Sequence, residues 1–273
     1  MHMIGVFDSG YGGLTVLKPL LEALPEYDYL YLGDNARAPY GIRSAETVRE
    51  YSEQALEYLF SKGCSLILIA CNTASSEALR YLQQKYLRDK NVKDKKILGV
   101  IRPLAEAAIK ATKNNKIGVV GTKGTVASKA YEAELTNLNK NITVFSKACP
   151  LLVPLIEEHW QNRPESRMIL KKYIKPLKST NIDVLILGCT HYPLMYKQFK
   201  KDMGKRVNVL DSGRIVAESL KDYLKRHPEI EKLLTKKGIR EYYTTDSPEK
   251  FKEFANAELK LNIKEVTKVE IWK

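Results

Sequence analysis

The sequence predicts an α/β protein built on largely parallel sheets, and three observations carry that reading. Short aliphatic or β-branched runs of strand length alternate with amphipathic stretches of helical period along the whole chain. Several runs end in small or polar turns that lead straight into helical pattern. One unit also recurs. Ile4-Gly5-Val6-Phe7-Asp8-Ser9-Gly10, followed by Gly12-Gly13, resembles Ile117-Gly118-Val119-Val120-Gly121-Thr122, followed by Gly124-Thr125. Each copy is followed by a second apolar run that ends in cysteine. The separations Ile4 to Cys71 and Ile117 to Cys189 are similar, 71 − 4 = 67 and 189 − 117 = 72 residues. Two copies facing each other about a pseudo-twofold axis would place both thiols on one cleft at the carboxyl ends of their strands, where open α/β sheets bind ligands.

In chain order, strands are expected at 4–7, 28–32, 65–70 and 97–100, with helices at 13–24, 44–62 and 75–87 between them. A second series follows, with strands at 116–120, 142–145, 183–188 and 207–210 and helices at 103–113, 125–138, 151–160, 165–179 and 193–203. Helices 213–226 and 248–256 and strands 239–244 and 267–272 close the chain. Asp246-Ser247-Pro248-Glu249 has the pattern of a helix start, with Asp246 as cap, proline in the first turn and a glutamate three residues after the cap.

At 273 residues the chain is long enough for two modest domains with full cores. Its apolar runs are strand-length and fall short of a membrane span. Asp8 interrupts any export-signal core, so a cytoplasmic location is expected. Four cysteines without CxxC or Cys/His metal spacing read as free thiols in a reducing compartment, with no metal site. The formal charge of +13 raises nucleic-acid binding as an option. Lysine, however, outnumbers arginine and is mixed with glutamate along helical stretches, and no aromatic-basic or finger motif accompanies it. A lysine-rich solvated surface is the preferred reading; such charge also draws in small anions.

Cys71 ends Ser65-Leu66-Ile67-Leu68-Ile69-Ala70 and opens Cys71-Asn72-Thr73-Ala74; Cys189 ends Val184-Leu185-Ile186-Leu187-Gly188 and opens Cys189-Thr190-His191-Tyr192-Pro193. Free cysteine often only fills space. A thiol at a strand end that opens a helix is instead placed where amide dipoles favour thiolate. Two such thiols suit removal of a proton from one face of a carbon and its return to the other. Cys64 and Cys149 lack this setting and read as packing residues. The segment 7–13 lacks the third glycine of a dinucleotide loop, Thr15 standing there, and no GxxxxGK[ST] occurs, so no cofactor is expected. Asp8 and Ser9 present polar groups at a strand end beside glycines that let amides approach a small ligand. The 33–41 loop, ending Pro39-Tyr40-Gly41, is open to a binding or a purely structural reading. His191 could polarise a thiol or be an ordinary loop residue.

Taken together, FDSGYGG, the APYG turn, ACNTA, the GTKGT turn, VPLIEE and GCTHYPL resemble the glutamate racemases of the aspartate/glutamate racemase superfamily, over nearly the whole chain and in the same order. The resemblance implies two flavodoxin-like domains, residues 1–99 with 210–273 and residues 100–209, with the active site in the cleft between them. It implies a cofactor-independent isomerase that interconverts L- and D-glutamate for peptidoglycan synthesis, expected as a homodimer. Cys71 and Cys189 would be the acid/base thiols, assisted by Asp8 and His191 respectively, with Glu157 near the second. Substrate contacts carried over are Ser9, Pro39, Tyr40, Gly41, Asn72, Thr73, Thr122, Thr125 and Thr190. Aspartate relatives usually carry Glu where this chain has His191, which favours glutamate. Arg102 before Pro103 and the insertion-like Lys90–Lys95 stretch depart from the pattern. Two alternatives stay open: a racemase of another small amino acid such as aspartate, and a bifunctional protein that also binds DNA gyrase, as the resemblance suggests for some members.

Overall fold

The computed structural model describes residues 2–89 and 94–272, so most of the Lys90–Lys95 stretch lies outside the described residues. Two sheets, each wholly parallel, organise the chain. The first has six strands: β1 (Met3–Asp8), β2 (Tyr29–Gly33), β3 (Cys64–Ile69), β4 (Lys96–Gly99), β9 (Arg240–Thr244) and β10 (Thr267–Lys268), ordered β10-β9-β2-β1-β3-β4. The second has four: β5 (Lys116–Gly121), β6 (Thr143–Ala148), β7 (Val184–Gly188) and β8 (Asn208–Val209), ordered β6-β5-β7-β8. The recurring sequence unit thus has a topological counterpart. In both sheets the first strand of the unit lies between the second and the third, the 2-1-3-4 order of flavodoxin-like sheets. The central strands are buried on both faces, which explains their unbroken aliphatic runs.

Helices cover both sheets: α1 (Leu14–Ala23), α2 (Ala45–Ser61), α3 (Asn72–Glu77), α4 (Leu79–Leu82), α5 (Ile101–Ala111), α6 (Lys123–Ala127), α7 (Ala130–Leu138), α8 (Leu152–Glu157), α9 (Pro164–Lys178), α10 (Tyr196–Met203), α11 (Ser212–Arg226), α12 (Pro228–Glu231) and α13 (Pro248–Leu259). The largest core crosses from one sheet to the other, joining Val6 and Leu68 to Val120 and Leu187 by way of α1 and α11. Burial of this continuous apolar surface is the main force holding the two sheets together.

Several boundaries differ from expectation for local reasons. The helix expected at 75–87 begins at Asn72, because Cys71 Sγ accepts the Ala74 amide and caps it, and it continues as α4 and a π-helical turn over Gln83–Asp89. The 125–138 helix is two helices. Ser128 bonds the Thr125 carbonyl and the Ala130 amide, and Lys129 takes a left-handed φ of 53° between them. The 151–160 helix stops at Glu157, with His159 left-handed. The 193–203 helix begins as a 3₁₀ turn at Tyr192–Met195. Ser247, not Asp246, caps α13 by accepting the Lys250 amide. The 267–272 strand shrinks to two residues, since Lys268 pairs with Thr244, where β9 ends.

Candidate active site

The loops that leave the carboxyl ends of both sheets meet around one cavity of about 30 Å³. That is room for water, whereas ordinary ligand pockets are roughly ten times larger. The site is closed. After β1 come Ser9 and Gly10; after β2, Ala38 with Pro39, Tyr40 and Gly41; after β3, Cys71, Asn72 and Thr73. From the second sheet come Thr122 after β5, Val153 and Glu157 on α8, and Cys189, Thr190 and His191 after β7.

Both cysteines singled out by the sequence therefore face one cavity from equivalent strand ends, and both are free thiols, 5% exposed. Cys64 and Cys149 are also free and fully buried, away from the cavity lining. Cys71 Sγ lies 3.3 Å from Ser9 Oγ and 3.4 Å from the Ala74 amide. A helix N-terminus was expected to favour thiolate. Burial outweighs it and, with the charges of Asp8 and Cys189, pushes the Cys71 thiol up to about 12 despite the Ser9 and Ala74 hydrogen bonds.

The surroundings of Cys189 are different. Its Sγ lies 4.0 Å from His191 Nδ1, and His191 Nε2 lies 3.0 Å from Glu157 Oε1. Burial opposes the His191 charge, but the hydrogen bonds and charges of Cys189 and Glu157 prevail and raise its pKa to about 10. Gly12 makes this packing possible: a Cβ there would stand 2.4 Å from Thr190 Oγ1 and 2.5 Å from His191 Nδ1.

Asp8 and Thr125 sit behind the lining. Asp8, fully buried at the end of β1, accepts the Gly10 amide at 3.0 Å and the Thr190 hydroxyl at 3.3 Å. Its carboxylate thus bonds to the neighbour of Cys189, while its charge is felt at Cys71 as well. Burial raises its pKa to about 6 against the His191 charge and the amide hydrogen bonds. Thr125 Oγ1 lies 3.0 Å from Thr122 Oγ1 and 3.2 Å from Thr73 Oγ1. Tyr40 donates its hydroxyl to Asp34, which also holds Arg37 and Thr245, and this anchors the 38–41 turn.

Sequence reasoning missed Ala38 and Val153 in the lining and Tyr131 behind it, whose hydroxyl is 2.6 Å from Asn72 Oδ1. Nothing in the pattern around Tyr131 marks it off from a core residue of an amphipathic helix. Among the described residues no group of three or more His, Cys, Asp or Glu side chains is placed to hold a metal ion, and no helix is long and apolar enough to cross a membrane.

Fold and site define a class: an α/β protein of two similar parallel sheets whose matching strand ends carry a pair of thiols into a shared closed cavity. The sequence model of the Asp/Glu/Hydantoin racemase family matches residues 4–220, and the chain belongs to that family. It is 40% identical over 252 residues to the glutamate racemase of Geobacter metallireducens, covering 91% of this chain and 89% of that protein. It is 43% identical over 243 residues to that of Aquifex aeolicus, covering 89% and 88%. Among solved structures it is similar to a glutamate racemase isoform from Bacillus anthracis, with TM-score 0.90, 37% identity and 98% and 97% of the chains covered. It is also similar to the Francisella tularensis glutamate racemase in complex with D-glutamate, with TM-score 0.87, 33% identity and 99% and 98% covered.

Proposed function

We propose that this protein is a glutamate racemase that exchanges the α-hydrogen of glutamate between Cys71 and Cys189, without cofactor or metal. The observation that carries the reading is the convergence of two free thiols, from equivalent strand ends, on one closed cavity. Relatives at about 40% identity named glutamate racemase support the choice of substrate.

The α-hydrogen is a very weak acid, so a strong base must meet it. In an open cleft, water and the Ala74 amide support the Cys71 thiolate. Closure removes the water, and burial then raises the basicity of that sulfur toward what carbon deprotonation needs. One thiolate takes the Cα proton, the carbon holds the electron pair as a planar carbanion, and the opposite thiol delivers its proton to the other face. The product is the other enantiomer, and the two sulfurs have exchanged protonation states. Ser9 and Asp8 serve the Cys71 half; His191, held by Glu157, serves the Cys189 half. Asn72, Thr73, Thr122 and Thr190, with the Pro39–Gly41 turn, hold the carboxylates and ammonium so that only the α-hydrogen is exchanged, and Thr125 backs the Thr73 and Thr122 hydroxyls.

We divide the chain into residues 1–99 with 210–273 and residues 100–209; the strands of the two sheets partition this way, and α11 lies along α1. The enzyme is a cytoplasmic homodimer in this reading, and its D-glutamate enters peptidoglycan. Solvent deuterium tests the activity: each enantiomer, incubated in D₂O with metal-free protein, gains deuterium at Cα as chiral analysis shows the other enantiomer accumulating. Activity that needs pyridoxal phosphate, or equal turnover of aspartate, would sink the assignment.

A further inference from the structure

Tyr131 lies on α7 with 2% of its surface exposed, and its hydroxyl reaches 2.6 Å to Oδ1 of Asn72, 59 residues away on the other sheet's cysteine loop. Its ring packs on Gly188, the residue before Cys189; a Cβ at Gly188 would come 3.1 Å from Tyr131 Cε2. One side chain therefore touches the segment before one thiol and the residue after the other. Asn72 itself is 4% exposed and lines the cavity.

An asparagine amide has an accepting end and a donating end. Burial raises the pKa of Tyr131 far above that of an ordinary phenol, so the hydroxyl keeps its proton and needs an acceptor. Among the described residues Asn72 Oδ1 is the acceptor it meets. A buried O–H without one is costly. With Oδ1 committed to Tyr131, the end left for the cavity is the Nδ2 group, a pure donor.

We propose that Tyr131 is a positioning residue that fixes the Asn72 amide with its N–H edge toward the substrate, and so makes the site select a carboxylate over an amide at the group Asn72 meets. This rests on the amino-acid racemase reading. A carboxylate only accepts, whereas a carboxamide turned by half a circle offers N–H against N–H. Without the tyrosine hydroxyl the Asn72 amide is free to turn and serve either.

The test is Tyr131→Phe, which removes one oxygen and keeps the ring. Calorimetric binding of D-glutamate and its two monoamides, D-glutamine and D-isoglutamine, reads the selectivity. The preference of the parent chain for glutamate over at least one monoamide is expected to fall about tenfold in Tyr131→Phe, through weaker glutamate binding. An unchanged preference overturns the proposal. In an Asn72→Ala background the phenylalanine substitution should change the preference no further, because Tyr131 acts through Asn72; a further loss of the same size overturns it too. A readout without substrate stands beside these: the order parameter of the Asn72 side-chain NH₂ by ¹⁵N relaxation should drop in Tyr131→Phe, and an equal value in both proteins refutes the positioning role. A parent chain that binds no glutamate defeats the racemase reading, while the order parameter still decides the part Tyr131 plays.

Discussion

Thr73 Oγ1 and Thr122 Oγ1 lie 2.9 Å apart, one hydroxyl from the turn after β3 and the other from the turn after β5. This pair closes the cavity from both sheets with the smallest groups able to hydrogen-bond. Gly41 lies so close against the same threonine that a Cβ there would stand only 2.5 Å from Thr122 Cβ. Such contacts are short, few and polar, which suits a cleft that must part to admit a substrate larger than the space it encloses.

Gly41→Ala is expected to prop this cleft open. Steady-state kinetics should show KM for glutamate raised about tenfold or more and kcat lowered, with a thermal midpoint close to that of the parent, since the clash is relieved by separating the two turns. Unchanged kinetics would mean that closure does not bring Gly41 against Thr122.

Loss of either cavity thiol is expected to stop racemisation in both directions. Inversion needs one group to take the proton and another to give one, so Cys71→Ala and Cys189→Ala should each lower kcat by several orders of magnitude in chiral assays. Cys64→Ala and Cys149→Ala should keep most of the activity. Near-normal turnover after removal of either cavity thiol refutes the two-base mechanism. In a glutamate-bound crystal structure the two sulfurs should stand about 6–8 Å apart, about twice a near-attack distance.

The charge on His191 depends on its neighbours, and Glu157→Gln tests this directly. The Glu157 carboxylate, 3.0 Å from Nε2, helps hold the imidazole pKa near 10. An uncharged amide there is expected to lower it by roughly one unit or more, which an NMR titration of the His191 ring protons would show. The alkaline limb of kcat/KM should move down with it. A titration unmoved by the substitution assigns the shift to Cys189 alone.

Asp8 makes the fold less stable as pH rises from about 4 to 6. Its folded pKa, about 6, lies above its ordinary value of 3.8, so the folded state holds a proton that the unfolded chain has released. The stabilisation is complete below pH 3.8 and is lost as pH climbs through 6, by up to roughly 3 kcal/mol. Denaturant unfolding from pH 4 to 7 should show this decline in the parent chain and a flatter profile in Asp8→Asn; parallel profiles would remove Asp8 as the source.

Much of this molecule was legible in its sequence because strand ends in α/β folds carry their own signals. Unbroken aliphatic runs mark strands buried on both faces, and the small polar turns after them mark where ligands are met. That is why Ser9, Cys71 and Cys189 could be singled out from spacing and setting, whereas Tyr40 and Thr122 were implied only by the family resemblance. Helix interruptions were harder, because they depend on side chains that bond backbone locally, as Ser128 does, or on left-handed residues such as Lys129 and His159. Hydrogen bonds between the sheets were not legible at all. Tyr131 and Asn72 meet only after both sheets have folded and packed, and nothing in the periodicity of α7 distinguishes a tyrosine that reaches across from one that fills a core.

The matching strand order of the two sheets has a kinetic consequence. Mirror-image amino acids have equal free energies in water, so the equilibrium between them is one to one whatever the catalyst does. The two thiols nevertheless sit in unlike company, Ser9 beside Cys71 and the His191–Glu157 pair beside Cys189. In the two-thiol mechanism proposed above, the forward and reverse reactions begin from differently surrounded sulfurs and need not share a turnover number. Thermodynamics then obliges the Michaelis constants to differ by the same ratio: the enantiomer that turns over faster must also have the higher KM.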